Sequence, residues 1–311
     1  MDHLKSLFIL VIVSKNYIRT CFSYYNFFES KNISLFLLIV LNSIQLMHYY
    51  YDDNKTIFII CDLIIYEVEL VIMTELLYQK DSYLREFSAR VEKVNGNFIV
   101  LDRTAFNPRS GGLSCDTGYL VKDDNEYRVI EVFFERITGE VVHKLDSEEH
   151  NLNPGDHVKG FINWKRRYKI MRLHTAAHII SAILYKKYNA LITGGHIYPD
   201  YAYDDYSLEK FDPEIFRKAI EEANNIVKQG IDVKIYWLRK EDALKIPGIV
   251  KLASRMPPDI EILRIVEIPG IDIQADGGPH VKNVGEIGEI VFLKAVNKGK
   301  RKKRLYYTVK P

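Results

Sequence analysis

The first 72 residues of this 311-residue chain contain no glycine, no proline and no alanine, and all 17 glycines and 10 prolines lie beyond Met73. A folded segment of that length ordinarily needs glycine and proline for its turns. The segment is instead rich in Phe, Leu, Ile, Tyr, Asn, Lys and Ser. Most of these have A/T-rich codons, whereas Gly, Ala and Pro need G/C-rich ones. The composition therefore reads as translated upstream sequence, a non-native extension over 1–72 with the native start at Met73. A weak membrane segment is the competing reading. Leu7–Val13 follows Lys5, but no small-residue cleavage site comes after it. Ile33–Tyr51 is uncharged, yet Asn42, Ser43, Gln45 and His48 interrupt it, so no membrane partner is expected.

Cysteine is scarce as well. Cys21, Cys61 and Cys115 are far apart and make neither a CxxC pair nor a disulfide framework, which suits a reducing cytosol and a cytoplasmic protein. A dominant charge sign is also missing: 43 Lys+Arg face 41 Asp+Glu, and from Met73 onward 38 face 34. Net charge thus gives no reason to expect DNA, and only local clusters can argue for a nucleic acid. There is no internal repeat and no signal for an oligomeric state.

What is present after Met73 reads as α+β: a small β-rich, barrel-like domain over 73–163, then an α+β domain over 164–311 with helices over an antiparallel sheet. Phe87–Leu101 is two strand-like runs around Asn95-Gly96, a hairpin signal. Arg128–Phe134 and Val141–Leu145 flank Thr138-Gly139 in the same way, and Val158–Ile162 follows the turn Asn153-Pro154-Gly155-Asp156. Arg166–Lys187 has helical periodicity. Asp212-Pro213-Glu214 opens a second helix, with an N-cap residue and proline at the first helical position, and Gly230 closes it. Strand-like runs follow at Ile231–Trp237, Ile260–Val266 and Glu289–Leu293.

Chemistry concentrates in two short motifs. In Arg172-Leu173-His174-Thr175-Ala176-Ala177-His178, the histidines are four apart on a helix and share a face, as two imidazoles holding one metal ion must. Asp276-Gly277-Gly278-Pro279-His280 again sets two possible ligands four apart, here on a loop, because two glycines and a proline rule out regular helix. Three imidazoles and a carboxylate are acceptable zinc ligands. Helix histidines with local hydrogen bonds, and a Gly-rich turn closed by its own side chains, are the alternatives. Basic residues cluster twice, at Lys165, Arg166, Arg167, Lys169 and Arg172, and at Lys298, Lys300, Arg301, Lys302, Lys303 and Arg304 beside Tyr306 and Tyr307. Both clusters suit phosphates, and the tyrosines offer a stacking surface for unpaired bases. A solvated face or tail is the plainer reading.

In combination these motifs resemble the alanyl-tRNA editing family known as AlaX and the editing domain of alanyl-tRNA synthetase. The resemblance runs from Met73 nearly to the C-terminus. Asp102–Pro108 with Gly111-Gly112 and Asp116-Thr117-Gly118 is similar to the family's Gly-rich motif. Asn163–Arg167 leading into Met171–Thr175 is similar to the start of its editing helix. Gly277-Gly278, His280–Asn283 and Gly285–Gly288 are similar to its last metal motif. The 239 residues from Met73 suit the family's medium-length form. Four positions depart from its pattern: Asp276 stands at the usual metal cysteine, Pro279 at a threonine, and His196 and Leu113 at glutamines.

The resemblance implies one zinc ion per chain on His174, His178, Asp276 and His280. It implies hydrolysis of the ester in mischarged tRNA(Ala), seryl or glycyl, with the acceptor end as partner. Asp for Cys keeps a negative ligand but hardens the site. His196 is a candidate proton-transfer residue. Thr175, Gly195, Gly277, Gly278, Gly111 and Gly112 are candidate substrate contacts, with amides at Gly277 and Gly278 available to an oxyanion. Lys165, Arg166, Arg167, Lys300, Arg301, Lys302, Lys303 and Arg304 are candidate tRNA contacts. Two rival functions stay open, a non-catalytic tRNA-binding module of the same fold and a metallohydrolase of a free small ester or amide.

Overall fold

A computed structural model describes, side chains included, residues 74–246, 249 and 260–311. The readings made above for residues 1–72 lie outside them. The chain divides into two compact units, residues 1–73 with 136–140, and residues 74–135 with 141–311. The candidate site lies wholly in the second.

Six strands of that unit form its first large element: β1 (Glu86–Asn95), β2 (Phe98–Leu101), β3 (Gly118–Lys122), β4 (Asn125–Phe134), β5 (Val141–Leu145) and β6 (His157–Ile162). They close into an antiparallel barrel in the order β3-β4-β5-β2-β1-β6. Asn95 pairs with Phe98 across the expected hairpin, and Gly96 takes φ +53°. β6 alternates regularly, with Val158 and Ile162 inside and Lys159 and Phe161 outside. Val91, Ile99, Leu101, Leu120, Val129 and Val132 fill the barrel. β3 carried no sequence signal. Its five residues include Gly118 and Lys122, and pairing to β4 and β6 holds them extended.

Helix α1 (Trp164–Tyr188) leaves the barrel directly. The Asn163 side chain caps it by accepting from the Arg166 N–H at 3.2 Å, and Asn189 ends it in the left-handed region at φ 49°. From Ile170 to Leu184 every residue is buried, so α1 is a core helix rather than an amphipathic one. α2 (Pro213–Val227) is capped by Asp212 as its sequence signals, and buries Phe216, Ala219, Ile220 and Ala223.

An antiparallel sheet lies beside these helices, built from β7 (Ile192–Ile197), β8 (Ala202–Tyr206), β12 (Glu289–Asn297) and β13 (Lys303–Lys310) in the order β7-β8-β13-β12. A second, three-stranded sheet orders β9 (Lys234–Arg239), β10 (Ile262–Ile268) and β11 (Asp272–Ala275) in sequence. The α+β reading holds. Strands β7, β8, β11 and β13 were not anticipated. They are short, Gly-bearing or charged, and their cross-strand partners supply what their own pattern lacks. Among the described residues no helix is long and apolar enough to cross a membrane.

Candidate metal centre

α1 presents His174 and His178 one turn apart, with rings 5.1 Å between centroids. The loop after β11 brings Asp276 and His280 to the same point, with the His280 ring stacked on His174 at 4.0 Å. One ligand atom from each of the four residues lies within 4.8 Å of all the others, the only such group among the described residues. Asp276 Oδ2 is 3.5 Å from His174 Nε2 and 3.8 Å from His178 Nε2, and its Oδ1 is 3.3 Å from His280 Nε2. The loop needs Gly278 for this approach, because a Cβ there would stand 2.7 Å from His174 Cε1. Arg264 on β10 braces it, donating from Nη1 to the carbonyls of Asp276 at 2.8 Å and Gly278 at 2.9 Å.

The partners behind the imidazoles decide what faces inward. His174 Nδ1 lies 3.3 Å from the Pro279 carbonyl, which can only accept, so Nδ1 carries the hydrogen. Thr175 Oγ1 donates its one hydrogen to the Met171 carbonyl at 3.0 Å and so accepts from His280 Nδ1 at 3.1 Å. His178 Nδ1 donates to Asp272 Oδ2 at 2.8 Å, and Gln274 holds that same oxygen from Nε2 at 2.9 Å. In their neutral forms all three rings therefore aim an Nε2 lone pair at the point the Asp276 carboxylate faces. Three converging lone pairs and an anion fit a cation, and the nitrogen and oxygen donors suit zinc.

Electrostatics follow this layout. Burial, reinforced by the neighbouring His174, holds His280 well below the ordinary imidazole value. Burial would depress His178 too, but hydrogen bonds to Asp272 and Asp276 outweigh it and raise it to about 9. Burial would raise Asp276, yet the three histidines together hold its carboxyl well below the usual range.

A cavity of about 470 Å³ opens over the centre, lined in part by Gly111, Gly112, Gly195, His196, Asp204 and Gly277. Its far wall is β7, stitched to the Gly-rich motif by Ile197 N–H donating to the Gly112 carbonyl at 2.8 Å and Ser114 N–H to the Ile197 carbonyl at 3.1 Å. His196 Nε2 meets Ser114 Oγ at 3.1 Å, and burial, with Arg109 nearby, lowers its pKa. Asp204 was not anticipated. It is buried, accepts from the Tyr307 hydroxyl at 2.8 Å, and burial raises it to about 6. Asp272 and Arg264 were missed as well. Neither sits in a recognisable motif, and only contacts to distant residues reveal them.

Several expected contacts are corrected. Thr175 is fully buried and positions His280 instead of facing the cavity. Gly278 packs against His174 and Leu113, and its N–H is committed to Asp276 Oδ1 at 2.7 Å. Arg167 is fully buried; it chelates Asp116 and donates to the Ser82 and Ala105 carbonyls, which removes it from any tRNA surface. Lys303 is buried too, with Nζ on the Gly299 carbonyl at 2.6 Å. Arg304 is bound to Asp205 at 2.8 Å, and Lys302 reaches the same carboxylate at 3.4 Å. Tyr307, offered as a stacking ring, is core. Lys165, Lys300, Arg301 and Lys302 are exposed, and Arg166 is half-buried. The Pro279 departure leaves the centre intact because its contribution is a carbonyl.

Similarity to known proteins places the chain among proteins built on tRNA-synthetase modules. Residues 64–166 match the family model for class II (A) tRNA synthetases, and residues 263–306 match that for the threonyl and alanyl tRNA synthetase second additional domain. An alanyl-tRNA editing protein AlaX-M of Saccharolobus solfataricus is 57% identical over 239 residues, 77% of this chain and 100% of that protein. The AlaX-M of Methanosarcina barkeri is 42% identical over 76% of this chain and 99% of its own length. The alanine–tRNA ligase of Ignicoccus hospitalis is 33% identical over 71% of this chain, which spans 24% of that larger protein. The chain belongs to the AlaX-M family of alanyl-tRNA editing proteins.

Proposed function

We propose that this chain is a trans-acting aminoacyl-tRNA hydrolase that clears mischarged tRNA(Ala), with serine and glycine as the amino acids removed and one zinc ion on His174, His178, Asp276 and His280. The observation that carries the reading is the convergence of three Nε2 lone pairs and one carboxylate at a cavity sized for an aminoacyl ester. When bound, zinc supplies Lewis acidity at the ester carbonyl.

The chain's own groups do much of the rest. Asp204, buried with one donor on Oδ2, receives the ammonium of the aminoacyl group. The His196 side chain lies on the opposite sheet face from Asp204, with Nε2 held by Ser114 Oγ at 3.1 Å, so solvent rather than His196 carries the proton from the attacking water to the ribose oxygen as the ester C–O bond breaks. With the Gly278 amide committed to Asp276, the Gly277 amide is the remaining loop donor for the developing oxyanion. Of the expected set, Lys165, Arg166, Lys300 and Arg301 are left to meet tRNA phosphates, and Lys302 is shared with Asp205 at 3.4 Å.

The test is deacylation of Ser-tRNA(Ala) and Gly-tRNA(Ala), with chelator and with zinc restored. Activity is expected to fall with chelator and return with zinc, and His174→Ala or His280→Ala is expected to lose both metal and activity. Full deacylation by protein holding no transition metal overturns the zinc assignment. A protein that binds tRNA and never deacylates it overturns the hydrolase.

A further inference from the structure

The sheet β7-β8-β13-β12 buries one face, with Ala202, Tyr206, Leu305 and Tyr307, in the core it shares with α1 and α2. Its other face carries a row in register. His196 on β7 stands opposite Tyr203 on β8, Tyr203 opposite Tyr306 on β13, and Tyr306 opposite Lys294 on β12. Tyr203 and Tyr306 have ring centroids 5.5 Å apart. The β7–β8 connection adds Tyr198 and Tyr201, stacked on each other at 4.9 Å. Tyr198 lies 4.3 Å from the His196 ring, and Tyr201 lies 6.3 Å from Tyr306. The result is a continuous cluster of rings on this face, His196–Tyr198–Tyr201–Tyr306–Tyr203, with His196 also lining the cavity.

Two features say what the cluster meets. Tyr198 and Tyr201 are each 37% exposed, although their stacking leaves aromatic faces that a core would ordinarily cover. Cations stand along the cluster, and Asp200, the acid between Tyr198 and Tyr201, is paired with Lys169 at 2.7 Å. Lys294 Nζ stands 4.7 Å over Tyr306, the Arg304 guanidinium 3.8 Å over Tyr203, and Lys298 adds to the field at Tyr306. Asp205, on the flank, is taken up by Arg304 and Lys302. Rings joined to lysines along a path suit single-stranded nucleic acid, whose bases stack and whose phosphates need cations. His196, at one end of the series, also lines the cavity, so this face adjoins the cavity rim.

We propose that this face is the track for the unpaired nucleotides preceding the terminal adenosine, with bases stacked on Tyr198, Tyr201 and Tyr306 and phosphates beside Lys294 and Lys298. The proposal rests on the reading that a charged tRNA is the substrate.

The test uses Tyr201→Ala, Tyr306→Ala and the corresponding Phe variants of the zinc-loaded full chain. Two quantities are measured: the Kd of a single-stranded RNA tetranucleotide ending in adenosine, and KM for charged tRNA. Each Ala variant is expected to raise both about tenfold, roughly 1.4 kcal/mol per ring. The salt dependence of binding and the rate on aminoacyl-adenosine should stay at wild-type levels. The Phe variants should behave as wild type, since a phenyl ring still stacks. Ala variants that bind the tetranucleotide and charged tRNA like wild type overturn the track, as do Phe variants as weak as Ala. Failure of the substrate reading looks different: wild-type protein would leave charged tRNA intact while tyrosine-dependent binding of the tetranucleotide survived.

Discussion

Asp272 lies in the run Ile271-Asp272-Ile273-Gln274, which no motif distinguishes, yet its carboxylate sets the tautomer of His178 from 2.8 Å away. Such partners raise ligand basicity and hold the ring in aim. Asp272→Ala is expected to weaken zinc binding about 10- to 100-fold in a competition titration while leaving the fold in place. The same pair predicts a pH dependence. Its folded-state pKa of about 9 lies above the ordinary 6.5, so the metal-free site keeps a proton that a free imidazole releases between those values. The stability this gives the metal-free protein is complete below pH 6.5 and is lost as pH rises through 9. Zinc must displace that proton, so its affinity should climb from pH 6.5 to 9 by about tenfold per unit. A flat profile across that window would show that His178 binds no proton the metal must remove.

At the scale of elements, the basic run near the C-terminus is the informative case. It is a hairpin between β12 and β13, with Asn297 pairing Lys303 and Arg301 at φ 54° in the turn. Strand alternation puts Lys303 on the inward face with Leu305 and Tyr307, while Lys300, Arg301 and Lys302 lie in the turn before the strand and are exposed. Replacing those three by Ala should raise KM for charged tRNA and make the logarithmic salt dependence shallower by roughly 0.7–0.9 for each phosphate left without its cation. Hydrolysis of a minimal aminoacyl-adenosine should be spared. Kinetics unchanged on full-length tRNA would assign the hairpin to solvent alone.

At the scale of the molecule, Arg167 joins pieces far apart in sequence. It reaches Asp116 on the barrel side of the Gly-rich motif, the Ser82 carbonyl and the Ala105 carbonyl, all without access to water. Removing one partner of a buried pair leaves the other charge uncompensated, so Arg167→Ala should cost about 3–5 kcal/mol in urea unfolding, far beyond a surface arginine. A loss under about 1 kcal/mol would contradict that role. The second prediction concerns residues 1–72. Every motif of the site lies after Met73, and we propose that a chain begun there is soluble and fully active. The check is intact mass of protein from its source together with the activity of that shorter chain. A dominant species near 36.3 kDa carrying peptides from 1–72 would show the segment is part of the native protein.

The sequence alone determined what local chemistry encodes. The Asn95-Gly96 hairpin, the Asp212-Pro213 helix start and the four-residue spacing of both ligand pairs each depend on neighbours a few residues away. The tertiary structure decided whatever depends on partners far off in the chain. Nothing around Arg167 in sequence separates it from the exposed Lys165, because what buries it is Asp116 on another element. Strand β11 and the cluster of tyrosines likewise exist only through pairing across sheets. Even the candidate metal centre divides this way. The histidines announce themselves by spacing, but their tautomers are set by Asp272, Thr175 and the Pro279 carbonyl, because an imidazole presents its lone pair only where a distant acceptor fixes the hydrogen on the opposite nitrogen.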